Sequence, residues 1–457
     1  MREIPRRRRS RAVRVFAAFF ILAAACVRTS AGPDGKVSVS PTPEEIPTKW
    51  PIKHVVFIIK ENRSFDHMFG RFPGTNGVTR GRLFHFFGPK YGTVDVVPLK
   101  PPPGQRYPTD LPHDYSQWVA DYHDGAMDGF APNPKVARSL LSYTQLRPAD
   151  IPNYWEWAGR FVLADNFFAS AVGPSFPNHL MSIAATSGGT RDNPSQKLSD
   201  IRKMQQQGLQ KTWGCDIPKS GYITIYDSEG KPVEKVDPCF DFMTEGDLLR
   251  KKSIPWAYYA ATPEQNGYIW SAYSAIGRYR NDLEMWDRYI KPVDDFEEDA
   301  RAGKLPPVSW VTPQFAYSDH PEFNICYGEN WTTQVINAVM DGPDWESTAI
   351  FLTWDDWGGF YDHARPKQVD AFGFGFRVPM LVISPYAKEG YIDHRRSEFS
   401  SVLRFIEDNW ALRQLTERDR RADNMAYDFD FTQDPRPPEP LPLREDCQGE
   451  PFDRPGA

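Results

Sequence analysis

The sequence predicts an α/β protein, a three-layer α/β/α sandwich around a largely parallel sheet. Short apolar runs at residues 55–59 and 348–353 lack a regular alternation with charged residues, which is typical of strands buried on both faces. Helical segments separate such runs along the chain, as crossovers between parallel strands require. Polar side chains follow the ends of several predicted strands, where open α/β sheets hold their ligands.

Composition is that of a large globular protein without a basic surface. The chain has 457 residues, of which 25% are charged and 14% aromatic. Its formal net charge is −6, and because seven arginines lie in the first 25 residues, the remainder carries about −12. This acidic balance argues against a nucleic-acid partner.

Residues 1–27 predict a signal segment. An arginine-rich leader precedes the apolar run 15–27, which is too short to span a bilayer comfortably. We therefore expect export to the periplasm, the cell surface or the medium. Cys26 follows three alanines and is a candidate lipidation site, although Ala23 stands where lipoprotein signals usually carry a larger aliphatic residue.

The rest of the chain divides into a linker, one domain and a tail. Residues 28–49 are rich in Pro and Gly and predict a linker. Residues 50–431 form the predicted domain, and residues from about 192 to 242 interrupt its strand–helix alternation as an insertion. Residues 432–457 predict a Pro-rich, acidic and extended tail.

Four cysteines follow the signal segment. Their even number in an exported chain indicates disulfides, with three pairings open. Cys215 and Cys239 flank the insertion and are the preferred pair, which leaves Cys326 and Cys447. Free buried thiols are the alternative.

Periodicity and turn residues place the remaining elements. Predicted strands cover residues 55–59, 161–168, 256–260, 308–312, 348–353 and 378–384. Predicted helices cover residues 180–185, 244–252, 281–290, 296–303, 330–340 and 399–410. A hairpin is predicted within the insertion, from 222–226 and 232–236.

Two strand ends carry candidate cation ligands. Glu61 and Asn62 follow the first strand, and a carboxylate beside an amide oxygen suits a hard divalent cation. Asp355 and Asp356 follow the strand 348–353 and precede two glycines, which let the backbone approach closely. The alternative for the first pair is that it only begins a capped helix.

Ser175 stands at a predicted helix start. Gly173 and Pro174 precede it, and Pro177 lies just inside the helix. The free N–H groups of a helix N-terminus can bind phosphate, so the Ser175 hydroxyl is placed to reach one. The alternative is an ordinary N-cap.

Several separated motifs resemble one bacterial protein family. ENRSFDHMFG, GPSFPNH, SDHPE and TWDDWGGFYDH occur in the order found in the phosphoesterase family that includes phospholipases C and acid phosphatase A. The resemblance covers residues from about 53 to 409. It implies a fold like that of alkaline phosphatase and the hydrolysis of phosphate esters.

The resemblance also implies roles for individual residues. It makes Glu61, Asn62, Asp355 and Asp356 metal ligands, and it makes Ser175 both the nucleophile and a contact of that metal. It implies that His113, His320 and His363 line the phosphate pocket as catalytic and binding groups, and more weakly that His179 contacts the substrate. The oxygen ligands themselves favour Ca²⁺, Mg²⁺ or Mn²⁺.

The sequence therefore predicts an exported, metal-dependent phosphoester hydrolase that acts through a phosphoseryl intermediate. The substrate stays open between a phospholipid and a soluble monoester, because the extra C-terminal modules of the long phospholipases are missing. The alternative is an inactive envelope protein that binds a phosphorylated or anionic ligand.

Overall fold

An eight-stranded sheet forms the centre of the computed structural model, which describes residues 46–84, 92–95, 97–98, 110–131 and 137–447. In chain order its strands are β1 (His54–Lys60), β2 (Val162–Ala164), β3 (Trp256–Ala260), β4 (Ile290–Pro292), β5 (Val308–Val311), β6 (Thr348–Trp354), β7 (Met380–Ile383) and β8 (Tyr391–Asp393). Every residue of β1 and β6 is buried, so helices cover both faces of the sheet there.

The strand order is β4-β3-β5-β1-β6-β7-β2-β8. Neighbouring strands are parallel except at β7, which runs antiparallel to both β6 and β2. The predicted largely parallel sheet is confirmed. The first strand of the chain lies near the middle of the sheet, between β5 and β6, so its carboxyl end meets theirs at one edge.

Helices form the two outer layers. They are α1 (Phe65–Phe69), α2 (Tyr115–Tyr122), α3 (Pro152–Arg160), α4 (Ser175–Ala184), α5 (Leu198–Gln206), α6 (Glu245–Lys251), α7 (Gly277–Arg280), α8 (Leu283–Tyr289), α9 (Phe296–Arg301), α10 (Ile325–Asp341), α11 (Phe399–Asn409) and α12 (Glu417–Arg421). Helix α10 packs beside α3 and α9, whereas α11 packs beside α4 and α12. The α/β/α sandwich is thus confirmed.

Short strand pairs decorate the sheet. They are Arg80–Leu83 with Gly92–Asp95, Val97–Pro98 with Thr144–Gln145, Phe167–Phe168 with Ser397–Glu398, and Ile223–Tyr226 with Pro232–Val236. The last pair is the hairpin predicted in the insertion. The predicted strand 161–168 is two strands instead, because the chain leaves the central sheet after Ala164.

Both ends of the described chain are packed onto the domain. Ile46 already belongs to the hydrophobic core, so packing begins inside the predicted linker. In the predicted tail, Leu441 is buried and Arg444 Nη1 donates to Glu329 Oε2 over 2.9 Å. Residues 432–447 of the predicted tail contain no helix or strand, and they are held by more than their cysteine.

Two disulfides are present. Cys215 pairs with Cys239, which confirms the preferred pairing, and Cys326 pairs with Cys447. The first closes the insertion, and the second ties the tail to α10. The predicted signal segment and Cys26 lie outside the described residues. Within the described ranges, no helix has the length and apolar character needed to cross a membrane.

Candidate active site

The carboxyl ends of β1 and β6 bring acidic side chains together. The parallel register pairs Lys60 with Trp354, so the next residues of both strands emerge side by side. The two strand ends are joined by the Asp355 N–H, which donates to the Lys60 carbonyl over 2.9 Å. Glu61, Asn62, Asp355 and Asp356 are all fully buried. We call Glu61, Asp355, Asp356 and the adjacent His179 the cavity cluster, because Asp356 contacts Ser175 of the cavity described below, although none of the four lines that cavity itself.

Asn62 turns the chain at this point. Its φ of 64° is in the left-handed region, which Asn tolerates better than most residues. This conformation aims its N–H at Asp355 Oδ1, 2.8 Å away. The turn thereby ties the end of β1 to the first carboxylate after β6.

Two orientations of the Asn62 amide are possible. With its nitrogen toward the carboxylates it donates to Glu61 Oε2 and Asp355 Oδ1, both 3.3 Å away. In the opposite orientation its oxygen joins those two oxygens, an arrangement that a cation or a proton between them would stabilise. Asp355 Oδ2 has no hydrogen-bond donor in the described part of the chain. The donor set therefore fits a divalent cation.

The electrostatics of the cavity cluster also favour a bound cation. Burial raises the pKa of Glu61 well above its usual value, and repulsion from Asp355 and Asp356 raises it further. Burial and the charge of Asp355 likewise raise the pKa of Asp356. Carboxylates held this close without water need either protons or a cation to neutralise them.

Ser175 is the first residue of α4, as the sequence predicts. Gly173 before it has a φ of 102°, and a Cβ there would collide with the Arg191 carbonyl, so only Gly fits this approach. The Asn178 amide fixes the loop by accepting from the Ala171 N–H and donating to the Pro174 carbonyl. In this setting Ser175 Oγ donates to Asp356 Oδ2 over 3.4 Å.

His113 and His320 share a cavity with Ser175. The cavity has a volume of about 470 Å³. His113 donates from Nδ1 to the Leu111 carbonyl at 2.6 Å, which directs Nε2 toward the Asn62 amide at 3.0 Å. Burial opposes protonation of His113, but the carboxylates of Asp356 and Asp110 outweigh burial and raise its pKa. The protonated form of the imidazole that faces the cavity near the candidate nucleophile is thereby favoured.

His179 lies deeper than the prediction placed it. It is on α4, and its Nε2 contacts Glu61 Oε1 at 2.8 Å and lies 4.0 Å from Asp355 Oδ2. Burial lowers the pKa of His179 to about 4, so the imidazole is neutral. It is not among the residues lining the cavity. Its position suits contact with the carboxylates or a cation rather than with substrate.

His363 is not brought to the cavity. It belongs to a second group at the same sheet edge, with Asp66, Asp362 and Arg377, which we call the arginine cluster. His363 Nδ1 contacts Asp66 Oδ2 at 2.7 Å. Arg377 Nη2 donates to Asp66 Oδ1 and its Nε to Asp362 Oδ1, each over 3.1 Å. The predicted pocket histidine is therefore part of an ion-pair network around a fully buried arginine.

Two basic residues next to the cavity cluster were not predicted. Lys60 Nζ donates to the Gly328 carbonyl over 2.9 Å and lies 3.6 Å from Asp319 Oδ1. Arg63 Nη2 donates to the Asp319 carbonyl over 2.6 Å. Together they hold the turn that carries His320. The sequence feature that could have indicated them is a lysine at the end of an otherwise apolar strand, followed three residues later by an arginine.

Sequence comparison identifies relatives of this chain. The sequence profile of the Phosphoesterase family matches residues 52–413. Hemolytic phospholipase C of Pseudomonas aeruginosa is 27% identical over 405 residues, covering 78% of this chain and 52% of that protein. Phospholipase C A of Mycobacterium tuberculosis is 24% identical over 456 residues, covering 85% and 79%. The chain thus spans about half the length of the Pseudomonas relative.

Among solved structures, a protein in the alkaline phosphatase superfamily from Vibrio parahaemolyticus superposes with a TM-score of 0.35 at 11% identity, covering 79% of this chain and 68% of that one. The family profile spans most of the sequence, including both strand ends that build the cavity cluster. The chain belongs to the Phosphoesterase family.

Proposed function

We propose that this member of the Phosphoesterase family is an exported, metal-dependent phosphoester hydrolase that forms a phosphoseryl intermediate on Ser175. One observation carries the proposal. The Ser175 hydroxyl stands at a helix N-terminus, hydrogen-bonded to a carboxylate of the cavity cluster, in the same cavity as His113 and His320. A nucleophile, an anion-binding helix end and proton donors are thus assembled together.

The cation would be held by oxygens from both strand ends. The ligands would be Glu61, Asn62, Asp355, Asp356 and the Ser175 hydroxyl. When bound, a divalent cation supplies Lewis acidity, which polarises a phosphoryl oxygen and lowers the pKa of the hydroxyl. The predominance of oxygen favours Ca²⁺, Mg²⁺ or Mn²⁺, and the nearness of His179 to Glu61 admits a softer ion.

Side chains and backbone groups of the protein carry out the transfer of the phosphoryl group. Asp356 accepts the hydrogen bond of Ser175 Oγ and orients it toward the cavity. Ser175 Oγ bonds to phosphorus as its proton passes to Asp356, and the bond from phosphorus to the alcohol oxygen breaks. Water then attacks phosphorus and gives a proton to the histidine that protonated the alcohol, while Ser175 Oγ takes its proton back from Asp356. The product is phosphate from a monoester or the phosphorylated head group from a phospholipid. At the start of α4 the Phe176 N–H donates to Asn193 Oδ1 and Pro177 has no N–H, so the Ser175 N–H is the helix-end donor placed to face an equatorial oxygen.

A histidine gives the departing oxygen its proton. His113 and His320 both line the cavity, and the carboxylates near His113 favour its protonated form. General acid catalysis of this kind contributes roughly 10²–10⁴-fold in rate. We assign this role to the pair, with His113 as the first candidate because its raised pKa keeps a proton available.

The disulfides support export. Two of them join all four cysteines that follow the predicted signal segment. Disulfides persist in oxidising compartments and are rare in the cytosol. The proposed site of action is therefore outside the cytoplasm, where phosphate esters of lipids and of soluble metabolites are both accessible.

The names of the relatives favour a phospholipid substrate. A phospholipid presents a phosphodiester to Ser175 and a soluble monoester presents a terminal phosphate, so the two differ in charge and in the groups around phosphorus. Comparison of a short-chain phosphatidylcholine with an aryl monophosphate distinguishes the two. Turnover of the monoester alone would remove the phospholipase assignment and leave a phosphatase.

The hydrolase itself is tested with a chromogenic phosphate ester. We expect turnover by purified protein, loss of turnover with a chelator, and recovery when Mg²⁺, Ca²⁺ or Mn²⁺ is restored. Covalent labelling by rapid acid quench with ³²P-substrate should place the phosphate on Ser175. Metal-replete protein that hydrolyses no monoester and no diester would contradict the proposal.

A further inference from the structure

The insertion forms one wall of the cavity. Its helix α5 contributes Ile201 and Gln205, and the segment after it contributes Lys211 and Trp213. Opposite these residues the cavity is lined by Ser175 and the histidines already described. Since the insertion contributes none of the proposed reacting groups, its contacts act on the part of the substrate beyond the phosphoryl group.

Lys211 is distinct among the residues that line this cavity. It is the only Lys or Arg among those that the structure describes there. Its Nζ lies 5.0 Å from the centre of the Trp213 ring. No carboxylate of the described chain lies within 4.0 Å of that nitrogen. Burial lowers the pKa of Lys211, and no neighbouring charge offsets this effect.

The acidic residues of the cavity are engaged elsewhere. Asp110 Oδ1 lies 3.4 Å from His113 Nδ1, and Glu322 Oε2 lies 3.9 Å from His320 Nδ1. Asp114 caps α2 by accepting from the Gln117 N–H. The positive charge of Lys211 is therefore not neutralised by the protein, and it is free to attract an anion.

The backbone around Lys211 is fixed. The Gln210 N–H donates to the Pro263 carbonyl and the Cys215 N–H to the Ser274 carbonyl, each over 2.8 Å. The Cys215–Cys239 disulfide closes the same segment. Trp213 is only 5% exposed, and its ring meets Phe176, the neighbour of Ser175, edge to face at 6.3 Å. The lysine is thus held at a set position relative to the start of α4.

We propose that Lys211 is a specificity residue that binds a second anionic group of the substrate. The preferred substrates are then phosphate esters that carry a carboxylate or a further phosphate beside the reacting phosphoryl group. This inference rests on the proposed function, because it assigns a substrate class to the same cavity. Charge-assisted hydrogen bonds to a lysine in a partly buried site are strong enough to set such a preference.

Matched substrates that differ by one carboxylate test the inference. Phenyl phosphate is compared with carboxyphenyl phosphate, and short-chain phosphatidylethanolamine with short-chain phosphatidylserine. For Lys211→Ala we expect KM to rise about tenfold or more for the carboxylated member of a pair, as the loss of one charged hydrogen bond implies. The member without the carboxylate should change less than about twofold, because it makes no such bond.

Two further variants serve as controls. Lys211→Arg keeps the charge and should restore most of the preference. Lys203→Ala removes a lysine of the same insertion that is 72% exposed and outside the cavity, so both members should be unaffected. Circular dichroism and thermal unfolding confirm that each variant is folded.

The outcomes separate this inference from the proposed function. Wild-type protein that hydrolyses no member of either pair contradicts the proposed function itself. Turnover that Lys211→Ala lowers equally for both members contradicts only the inference, since Lys211 would then act on the shared phosphoryl group or on folding. Turnover that Lys211→Ala leaves unchanged for both members also overturns it.

Discussion

Two acidic groups at one edge of the sheet differ in how their charge is neutralised. The cavity cluster and the arginine cluster each combine carboxylates with a histidine, and each draws on the segments that follow β1 and β6. In the arginine cluster, Arg377 neutralises Asp66 and Asp362. In the cavity cluster no Lys or Arg of the described chain pairs with Glu61. Acidic residues with an internal cation build structure, whereas those without one are available to a cation from solution, as we propose for the cavity cluster.

Replacing the proposed nucleophile tests this distinction most strongly. Ser175→Ala should lower kcat by at least about 10³-fold, since no other group supplies the attacking oxygen. The protein should stay folded. Ser64 caps α1 beside the arginine cluster and makes a matched control. For Ser64→Ala we expect activity to be largely kept and stability to fall by about 0.5–2 kcal/mol.

If Ser175→Ala keeps most of its turnover, the covalent mechanism fails. A water molecule would then have to attack phosphorus directly. Rates on a chromogenic ester and unfolding in urea, measured on the same samples, distinguish these cases.

The next largest difference in kcat is expected between variants of His320 and His363. His320 lines the cavity, so His320→Gln should lower kcat by roughly 10²-fold if it transfers a proton. His363 contacts Asp66 instead, and His363→Gln should leave kcat within a fewfold of wild type. Steady-state kinetics against pH measures both. Equal losses would place His363 in the reaction and undo the separation between the clusters.

Removing one charged side chain should change the free energy of unfolding in opposite directions in the two clusters. Arg377→Met leaves the buried Asp362 without its arginine and Asp66 with His363 as its remaining basic partner, and should cost about 3–5 kcal/mol of unfolding free energy. Glu61→Gln removes one of several repelling carboxylates, so in the presence of a chelator stability should be unchanged or higher. Chemical denaturation with chelator measures both variants. A large loss for Glu61→Gln without metal would show that its charge is already neutralised within the protein.

The smallest expected effect is a pH dependence of stability, which a bound metal ion should reduce. The pKa values of Glu61 and Asp356 are raised by burial and mutual repulsion. Folded protein without metal therefore holds protons that the unfolded chain loses above its ordinary carboxyl pKa, about 4. Its stability should fall as pH rises above that value. Melting curves between pH 5 and 8 should show a steeper fall with chelator than with bound cation, and parallel curves would contradict this.

The sequence predicted the parts of the molecule that depend on local pattern. The buried strands β1 and β6 were evident from apolar runs, and their polar ends led directly to Glu61 and Asp355. The start of α4 at Ser175 followed from its flanking Gly and Pro residues. Parallel strands explain why these separate signals converge, because their carboxyl ends share an edge.

Long-range ion pairs could not be predicted in this way. Whether a histidine after a strand faces a cavity depends on charges far away in sequence, and Asp66, which contacts both Arg377 and His363, holds His363 outside the cavity. The position of Lys211 could not be predicted either, because its segment shows no helical or strand periodicity. That position depends on the hydrogen bond from the Cys215 N–H to the Ser274 carbonyl, which no local pattern indicates.

The central position of β1 has a consequence for how the chain folds. Residues His54–Lys60 are made early, yet their partners β5 and β6 begin at Val308 and Thr348. Until those strands are synthesised, an apolar segment with two unpaired edges stays open to other chains, which favours aggregation. Such distant pairing also slows folding. We therefore expect slow refolding in vitro, with a yield that falls as protein concentration rises.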